Sequence, residues 1–294
     1  MAEILFTKNT KKLINDKIIG FKKLNITKDE YKNLVLDICP SDVSGNKDFY
    51  LVGKNSHKYL YQPNIDTLSK HEIDNFKRWC MHVDVTPIVN SSNNILEENT
   101  HTSYVSMHMT NFTCDSSFGK TLFLNLIKLY NDCPQKYIEL LMDNKLEHHI
   151  ATGKEHDIDA PIKTEINMDQ YELDYRTTQS ELEIEEAKIK NLPSIFFPFR
   201  THPITRETIL FWPTYSSVQL HGGSRPWFEE FKMWVKEYLD NQENWYEWEW
   251  SQGDVIIFDN RCMLHTFTPG WKPEQRVFDQ IIVGFEKPFY NHKK

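Results

Sequence analysis

Runs of apolar residues and period-two alternation predict β-strands over most of the second half of the chain. Residues 255–258 form a continuous apolar run, which is typical of a buried strand. Two further apolar runs, over residues 194–200 and 209–215, flank the turn-like segment HPITRET. Tyr246, Trp248 and Trp250 alternate with Glu247 and Glu249, which predicts a strand with aromatic rings on one face and carboxylates on the other.

Helical signals are concentrated in the first half of the chain. Thr27 and Glu30 form a capping-box pattern, which predicts a helix that runs to about Ile38. Apolar spacing predicts a second helix over residues 67–79, and Pro134 is suited to be the first residue of a third. A later helix is predicted to begin at Pro226, with a buried face formed by Phe228, Phe231, Trp234, Val235 and Leu239.

The other segments of the first half are rich in strand-forming residues. Strands are predicted over residues 49–53, 81–89, 102–110 and 120–126, the last of which runs into a helix, and residues 1–25 are interpreted as a short β-containing entry. A sheet-rich second half with earlier helices favours a mainly β fold, a sandwich or jelly roll with helical additions. The length of 294 residues suits one large domain or two small ones, and we expect one domain over residues 1–294.

Residues 151–192 depart from this pattern because they are strongly charged. Acidic residues outnumber basic ones by eleven to two over residues 155–186, and Ser180 and Glu183 form a capping-box pattern before a charged helix. One interpretation is a solvated acidic insertion. The other is a lid over a site, since long segments inserted in compact domains are often functional.

Composition excludes several function classes. The net charge of −8 provides no general attraction for nucleic acid or an anionic membrane. No run approaches the roughly 18 apolar residues of a membrane span, and the first residues lack the apolar core of a signal peptide. The five cysteines are odd in number and have no CxxC spacing, which indicates reduced thiols and a cytoplasmic protein.

Three side chains suggest a metal centre. His82 and Asp84 are two residues apart, so on an extended strand both point to the same face. His265, from a distant segment, would complete a 2-His-1-carboxylate set, which leaves open positions on Fe(II) for a co-substrate and O2. Considered alone, the His-x-Asp pair could instead be an ordinary surface or core pair whose hydrogen bonds are satisfied and which binds no metal. Arg276 follows His265 by eleven residues at the head of another β-rich run, where a guanidinium could lie on the same side of the sheet.

Four segments carry a resemblance to a known family. HVDVTP, FGKTLF, HPITRETILFWP and WSQGDVIIFDNRCMLHTFTPGWKPEQR together span about residues 78–285. In these segments the chain resembles the TauD/TfdA family of Fe(II)/2-oxoglutarate-dependent dioxygenases. The resemblance implies a double-stranded β-helix, which is a jelly roll of the clavaminate-synthase-like type.

The resemblance also implies roles for individual residues. His82, Asp84 and His265 would hold Fe(II), Arg276 would pair with the C5 carboxylate of 2-oxoglutarate, and Thr121 would add a hydroxyl to that site. With O2, 2-oxoglutarate would be decarboxylated to succinate and CO2 while a substrate C–H bond is oxidised. Related halogenases have a small residue in place of the carboxylate, so the presence of Asp84 favours hydroxylation.

The substrate implied is a small molecule. Relatives that act on sulfonates often carry a second arginine four residues after the co-substrate arginine, and here Gln280 stands at that position, which disfavours a taurine-like sulfonate. Asp279 and Gln280 could receive an amine or amide, so a free amino acid or a small carboxylate is the hypothesis. Arg78 could bind a substrate carboxylate, or it could be an exposed cation at a helix end.

Alternatives to hydroxylation stay open. The same metal ligands could support desaturation or cyclisation, and a non-catalytic jelly-roll protein could keep the small-molecule pocket without turnover. His202 is interpreted as structural, and Asn260 and Arg261 as residues that brace the strand before His265. No G-x-S-x-G, P-loop or dinucleotide fingerprint is present in the sequence. Whether the chain forms a homo-oligomer is left open.

Overall fold

The structure, a computed structural model, describes residues 8–40, 49–55, 82–83, 101–115, 117–148, 194–213, 218–268, 271 and 273–286. The helices of this part are α1 (Lys8–Asp16), α2 (Lys28–Ile38), α3 (Leu126–Asp132), α4 (Gln135–Met142) and α5 (Pro226–Asp240). Its strands up to the acidic segment are β1 (Ile18–Phe21), β2 (Phe49–Asn55), β3 (His101–Phe112), β4 (Thr121–Asn125) and β5 (Leu146–His148). The later strands are β6 (Ser194–Phe196), β7 (Phe199–Thr201), β8 (Thr208–Leu210), β9 (Val218–Leu220), β10 (Trp245–Trp248), β11 (Val255–Asp259), β12 (Met263–Phe267) and β13 (Arg276–Glu286).

Two antiparallel sheets form the centre of the molecule. The major sheet has the strand order β1-β11-β3-β13-β2, and the minor sheet has the order β10-β4-β12. Strand β11 belongs to the major sheet and β12 to the minor sheet, and only the turn 260–262 separates them in sequence. The chain therefore crosses from one sheet to the other immediately before His265.

The inner faces of the two sheets pack against each other. Phe258 of the major sheet and Phe123 of the minor sheet contact through rings whose centroids are 5.0 Å apart. Val105, Met107 and Ile256 join the same buried cluster from the major sheet, and His265, the cross-strand partner of Phe123, shares the inner face of the minor sheet. This arrangement is the jelly-roll core that the sequence predicts.

The outer face of the major sheet is covered by the N-terminal helices. Leu13 of α1 and Tyr31 and Val35 of α2 pack in a second buried cluster with Val255 and Ile257 of β11. Alternate residues of one strand thus reach two separate cores, which explains why residues 255–258 are continuously apolar. The Thr27 and Glu30 capping box is present at the start of α2, as predicted.

Several predictions of local structure need correction. Helix α1 lies where only a short β-containing entry was expected. The sequence did not predict this helix because only three of its residues are buried, Thr10, Leu13 and Ile14, and the rest are polar. Helix α4 begins one residue after Pro134, which is its N-cap. Strand β10 ends at Trp248 and so does not include Trp250; Tyr246 and Trp248 share one face as predicted, although Tyr246 is 46% exposed.

Other predictions are confirmed or fall outside the described residues. Helix α5 buries Phe228, Phe231, Val235 and Leu239, while Trp234 is only partly buried. The predicted helix over residues 67–79 and the acidic insertion at 151–192 both lie outside the described part of the chain.

Four cysteines in the described part, Cys39, Cys114, Cys133 and Cys262, are free thiols. No helix among the described residues is long and apolar enough to cross a membrane.

Candidate active site

His82 and His265 lie side by side through an isolated antiparallel bridge. The amide of each residue donates a hydrogen bond of 2.9 Å to the carbonyl oxygen of the other. Their imidazole rings are 4.5 Å apart at the centroids and inclined at 50°. Val83 extends the bridge on the other side, since its amide donates to the carbonyl oxygen of Pro213. Two residues that are far apart in sequence are thereby fixed as neighbours.

His265 occupies the middle of β12. It pairs with Phe123 of β4, and its ring lies 6.1 Å from the ring of Phe123 and 5.0 Å from that of Phe258. These aromatic neighbours make the surroundings of the imidazole apolar. Neutral imidazole nitrogens are common ligands for Fe(II), so two adjacent rings in an apolar setting fit a metal centre. Asp84, the third predicted ligand, lies outside the described residues.

A buried ion-pair network holds the turn that leads into β12. The Asp259 carboxylate accepts hydrogen bonds from the amide and Nε of Arg261, at 3.1 and 2.8 Å. Burial alone would raise the pKa of Asp259, but the charge of Arg261 and the hydrogen bonds from Arg261 and His202 hold it well below its ordinary value. The side-chain amide of Asn260 donates to the carbonyl oxygen of Thr102, at 3.2 Å. These contacts confirm that Asn260 and Arg261 brace the strand before His265.

His202 has a structural position, as predicted. Its Nδ1 accepts hydrogen bonds from the amides of Ile204 and Thr205, at 3.3 and 3.1 Å, and its Nε2 lies 2.8 Å from the Asp259 carboxylate. Because Nδ1 is an acceptor, Nε2 carries the proton and donates to Asp259. Cys262 lies close to this pair, but the carboxylate is already bound by Arg261, so the cluster is explained without a metal ion.

Arg276 forms the second part of the candidate site. Its side chain is 2% exposed, its Nε donates to the carbonyl oxygen of Gly119 at 2.9 Å, and its Nη2 donates to Thr121 Oγ1 at 2.9 Å. Within the described residues, Nη1 is buried and has no hydrogen-bond partner. One edge of the guanidinium is therefore fixed by the protein, while the other presents an unused donor.

The surroundings of Arg276 are apolar. Its guanidinium carbon lies 5.1 Å from the ring centroid of Trp271, 5.2 Å from that of Phe278 and 5.8 Å from that of Phe267. Burial lowers the pKa of Arg276 to about 10. No carboxylate in the described part of the chain pairs with this cation. A buried guanidinium without a counter-ion is a site for an anion, and its fork geometry suits a carboxylate.

Gly119 shapes the wall beside Arg276. Its φ is +65°, and a Cβ added there would lie 3.2 Å from Arg276 Cδ and 3.3 Å from Cys114 Sγ. A side chain at this position would be strained and would crowd the guanidinium. Burial raises the pKa of the Cys114 thiol, while the nearby Arg276 opposes that rise.

The predicted substrate residues are not brought together. Asp279 pairs with His108 of β3 and shares the outer face of the major sheet with it, whereas Gln280 pairs with Met107, which belongs to the inner core. Asp279 is thus turned away from His82 and His265, and Gln280 is on the side that faces them. Arg78 lies outside the described residues.

Sequence reasoning missed two groups at the site. Trp250 Nε1 donates to Thr121 Oγ1 at 2.9 Å, although the aromatic alternation indicated only a core residue. The Gly119 carbonyl is the other, since it fixes Arg276 through the main chain. The Gly-Lys-Thr motif indicated Thr121, but every residue has a main-chain carbonyl, so residue type could not indicate the Gly119 acceptor.

Comparison with known proteins identifies the family. Residues 97–280, well over half of the chain, match the family described as Taurine catabolism dioxygenase TauD, TfdA family. The chain is 26% identical over 153 residues to the alpha-ketoglutarate-dependent 2,4-dichlorophenoxyacetate dioxygenase of Burkholderia sp. (strain RASC). That match covers 51% of this chain and 43% of the relative, so it spans less than half of the relative's length.

Solved structures share the fold. The crystal structure of AAD-2 in complex with Mn(II) and N-oxalylglycine has a TM-score of 0.59 at 15% identity, covering 98% of this chain and 93% of that chain. A taurine dioxygenase from Burkholderia xenovorans has a TM-score of 0.57 at 12% identity, covering 97% and 84%. The double-stranded β-helix expected from the sequence is therefore the fold of this protein. The family uses Fe(II), 2-oxoglutarate and O2, and this chain belongs to the TauD/TfdA family of 2-oxoglutarate-dependent dioxygenases.

Proposed function

We propose that the protein is an Fe(II)/2-oxoglutarate-dependent hydroxylase of a small organic molecule. The observation that carries the proposal is the antiparallel bridge between His82 and His265, which sets two imidazoles 4.5 Å apart in an apolar setting. The family match begins at residue 97, after His82, so this bridge supports the metal centre independently of the match.

His82, Asp84 and His265 would hold the ferrous ion. The ion would supply O2-dependent oxidation, in which 2-oxoglutarate would be decarboxylated to succinate and CO2 while the substrate is oxidised. The chain's own contribution is positional. The bridge fixes the two imidazoles, and the Asp259 network behind the β11–β12 turn limits movement of the strand that carries His265.

Arg276 and Thr121 would bind the distal carboxylate of 2-oxoglutarate. The guanidinium offers Nη1, and burial in an apolar cage strengthens its attraction for an anion. Bound carboxylate would restore the charge balance that the buried cation lacks. Water would be excluded by Trp271 and Phe278, whose rings flank the guanidinium.

The substrate we propose is a small carboxylate or a free amino acid. Gln280, on the inner face of β13, replaces the arginine expected for a sulfonate and offers an amide that can both donate and accept hydrogen bonds. The relative named for 2,4-dichlorophenoxyacetate acts on a carboxylate, which supports this class. Asp279 is not part of the proposal, because it lies on the outer face of the sheet.

A screen of amino acids and small carboxylates tests this function. We expect one of them to stimulate succinate release from 2-oxoglutarate and to gain one oxygen atom. Loss of two hydrogens from the substrate would indicate desaturation or cyclisation instead. A protein that binds Fe(II) and 2-oxoglutarate but releases no succinate, even slowly, would be the non-catalytic binding protein and would refute the enzyme proposal.

A further inference from the structure

Thr121 Oγ1 receives two hydrogen bonds at once. Trp250 Nε1 donates to it at 2.9 Å and Arg276 Nη2 donates to it at 2.9 Å. All three side chains are buried, with Thr121, Trp250 and Arg276 each 2% exposed. An indole N–H and a guanidinium N–H can only donate, so the direction of both bonds is certain.

The two donors determine where the hydroxyl proton points. A hydroxyl has two acceptor lone pairs and one O–H donor. Trp250 and Arg276 occupy both lone pairs, so the O–H of Thr121 is left to donate. Among the described residues, no acceptor is bonded to this hydroxyl, and Arg276 Nη1 is an unused donor beside it. The Thr121 hydroxyl and Arg276 Nη1 are thus two neighbouring donors for which no described residue supplies an acceptor.

We infer that Trp250 is a positioning residue for 2-oxoglutarate, which acts through Thr121. This inference rests on the proposed function and extends it to a residue that does not touch the co-substrate. By occupying one lone pair, the indole N–H compels the hydroxyl to present its proton, rather than a lone pair, to the carboxylate. Arg276 Nη1 and Thr121 Oγ1–H then form a pair of donors that is fixed before the co-substrate arrives.

The location of Trp250 suits this role. Thr121 is the cross-strand partner of Trp248, and Trp250 follows two residues later, where β10 has ended. The rings of Trp248 and Trp250 contact edge to face at 6.0 Å, a contact that a phenylalanine ring at position 248 could also make. Trp248 is also buried, but its Nε1 has no hydrogen-bond partner in the described part of the chain. The two tryptophans therefore differ in the single feature on which the inference depends.

The variant Trp250→Phe tests the inference because it keeps an aromatic ring and removes the N–H. One lone pair of Thr121 becomes free, so the hydroxyl no longer has a fixed direction. Loss of one hydrogen bond of this kind corresponds to about 3- to 10-fold weaker binding. We expect the Kd for 2-oxoglutarate, measured by calorimetry anaerobically with Mn(II) in place of iron, to rise by that factor. KM for 2-oxoglutarate should rise equally while kcat stays near the wild-type value.

A double-mutant cycle separates this role from a packing effect. In a Thr121→Val background the hydroxyl is absent, so Trp250→Phe should cause no further loss of 2-oxoglutarate affinity. Thr121→Ser retains a hydroxyl and should restore the effect of Trp250→Phe. Trp248→Phe is the matched control and should leave the affinity unchanged, since no described residue accepts a hydrogen bond from its N–H.

The outcomes distinguish failure of this inference from failure of the proposed function. Wild-type protein that does not bind 2-oxoglutarate would overturn both. Normal binding by the wild type together with unchanged affinity in folded Trp250→Phe would overturn only the role of Trp250. An equal loss in the Thr121→Val background would show that Trp250 acts through packing and would overturn it as well.

Discussion

His82 and His265 exchange two main-chain hydrogen bonds, each 2.9 Å long, although they are far apart in the sequence. The exchange fixes the two backbones relative to each other, so the imidazoles need no further element to bring them together. Because His82 joins β12 through this bridge, the described residue pair that precedes the predicted Asp84 lies beside His265. The bridge therefore makes neighbours of two histidines that the sequence separates by more than 180 residues.

Arg276→Met should abolish 2-oxoglutarate binding without destabilising the ligand-free protein. The Arg276 guanidinium is buried with no counter-ion in the described residues, so its removal relieves an uncompensated desolvation cost that offsets the hydrogen bonds lost to Gly119 and Thr121. We expect a free energy of unfolding in urea equal to or above that of the wild type, and no heat of binding with 2-oxoglutarate.

Arg261→Met is the matched control for that experiment. Its guanidinium is bonded to the buried Asp259 carboxylate, so removing it leaves an uncompensated charge. Here the protein should lose about 3–5 kcal/mol of stability. Equal destabilisation by both substitutions would show that Arg276 is as well compensated as Arg261, contrary to our description.

Gly119→Ala should weaken 2-oxoglutarate binding. The added Cβ would stand 3.2 Å from Arg276 Cδ and would occupy a backbone with φ of +65°. We expect a loss of about 1–2 kcal/mol in stability from the strained backbone, and at least a severalfold rise in the Kd for 2-oxoglutarate. Gly222→Ala has a comparable φ of +88° with no atom within 4 Å, so it should lose stability and keep its affinity. Equal affinities for the two variants would argue against crowding of Arg276.

Asp259→Asn should reduce stability and change its dependence on acid. The folded-state pKa of Asp259 lies below its ordinary value of 3.8, because the attraction of Arg261 and His202 outweighs burial. The stability that this carboxylate contributes is therefore present above about pH 4 and is lost as the pH falls toward the folded-state pKa. We expect the variant to lose about 3–5 kcal/mol of stability relative to wild type at pH 7, and this difference should become smaller below pH 4. Urea unfolding of both proteins at several pH values measures it. A loss that is constant with pH would contradict this.

His108 provides a second, milder pH dependence. Burial lowers its pKa, while the charge of Asp279 on β13 opposes the change, and the ring of Tyr31 from α2 faces it at 4.9 Å. The folded protein therefore binds fewer protons at His108 than the unfolded chain does below about pH 6.5, so stability falls with acidification there. Compared with wild type, His108→Gln should lose less stability between pH 7.5 and pH 5.5. An unchanged slope would show that His108 does not contribute.

Much of the fold could be predicted from the sequence, because the apolar pattern of individual strands reflects burial directly. Residues 255–258 were predicted as a strand, and the structure shows that this strand reaches two cores, one on each face. The Thr27 capping box was predicted because both of its partners lie within one turn. Helix α1 was missed because it is mostly polar and buries only Thr10, Leu13 and Ile14.

The site was predictable only where residue type carries the chemistry. Imidazole, carboxylate and guanidinium groups stand out, so His82, His265 and Arg276 could be named in advance. The direction of a side chain depends on sheet register, and one position separates Gln280 on the inner face from Asp279 on the outer face. The link from Trp250 to Thr121 depends on a cross-strand pairing that residue spacing does not contain.

Anaerobic absorption spectroscopy with Fe(II) and 2-oxoglutarate tests the metal centre most directly. We predict a weak visible metal-to-ligand charge-transfer band in the wild-type protein, and loss of that band in both His82→Ala and His265→Ala. The exposed His221 is the control, and His221→Ala should retain the band. A folded, iron-loaded wild-type protein without the band, or variants of His82 and His265 that both keep it, would contradict a centre built on these two histidines.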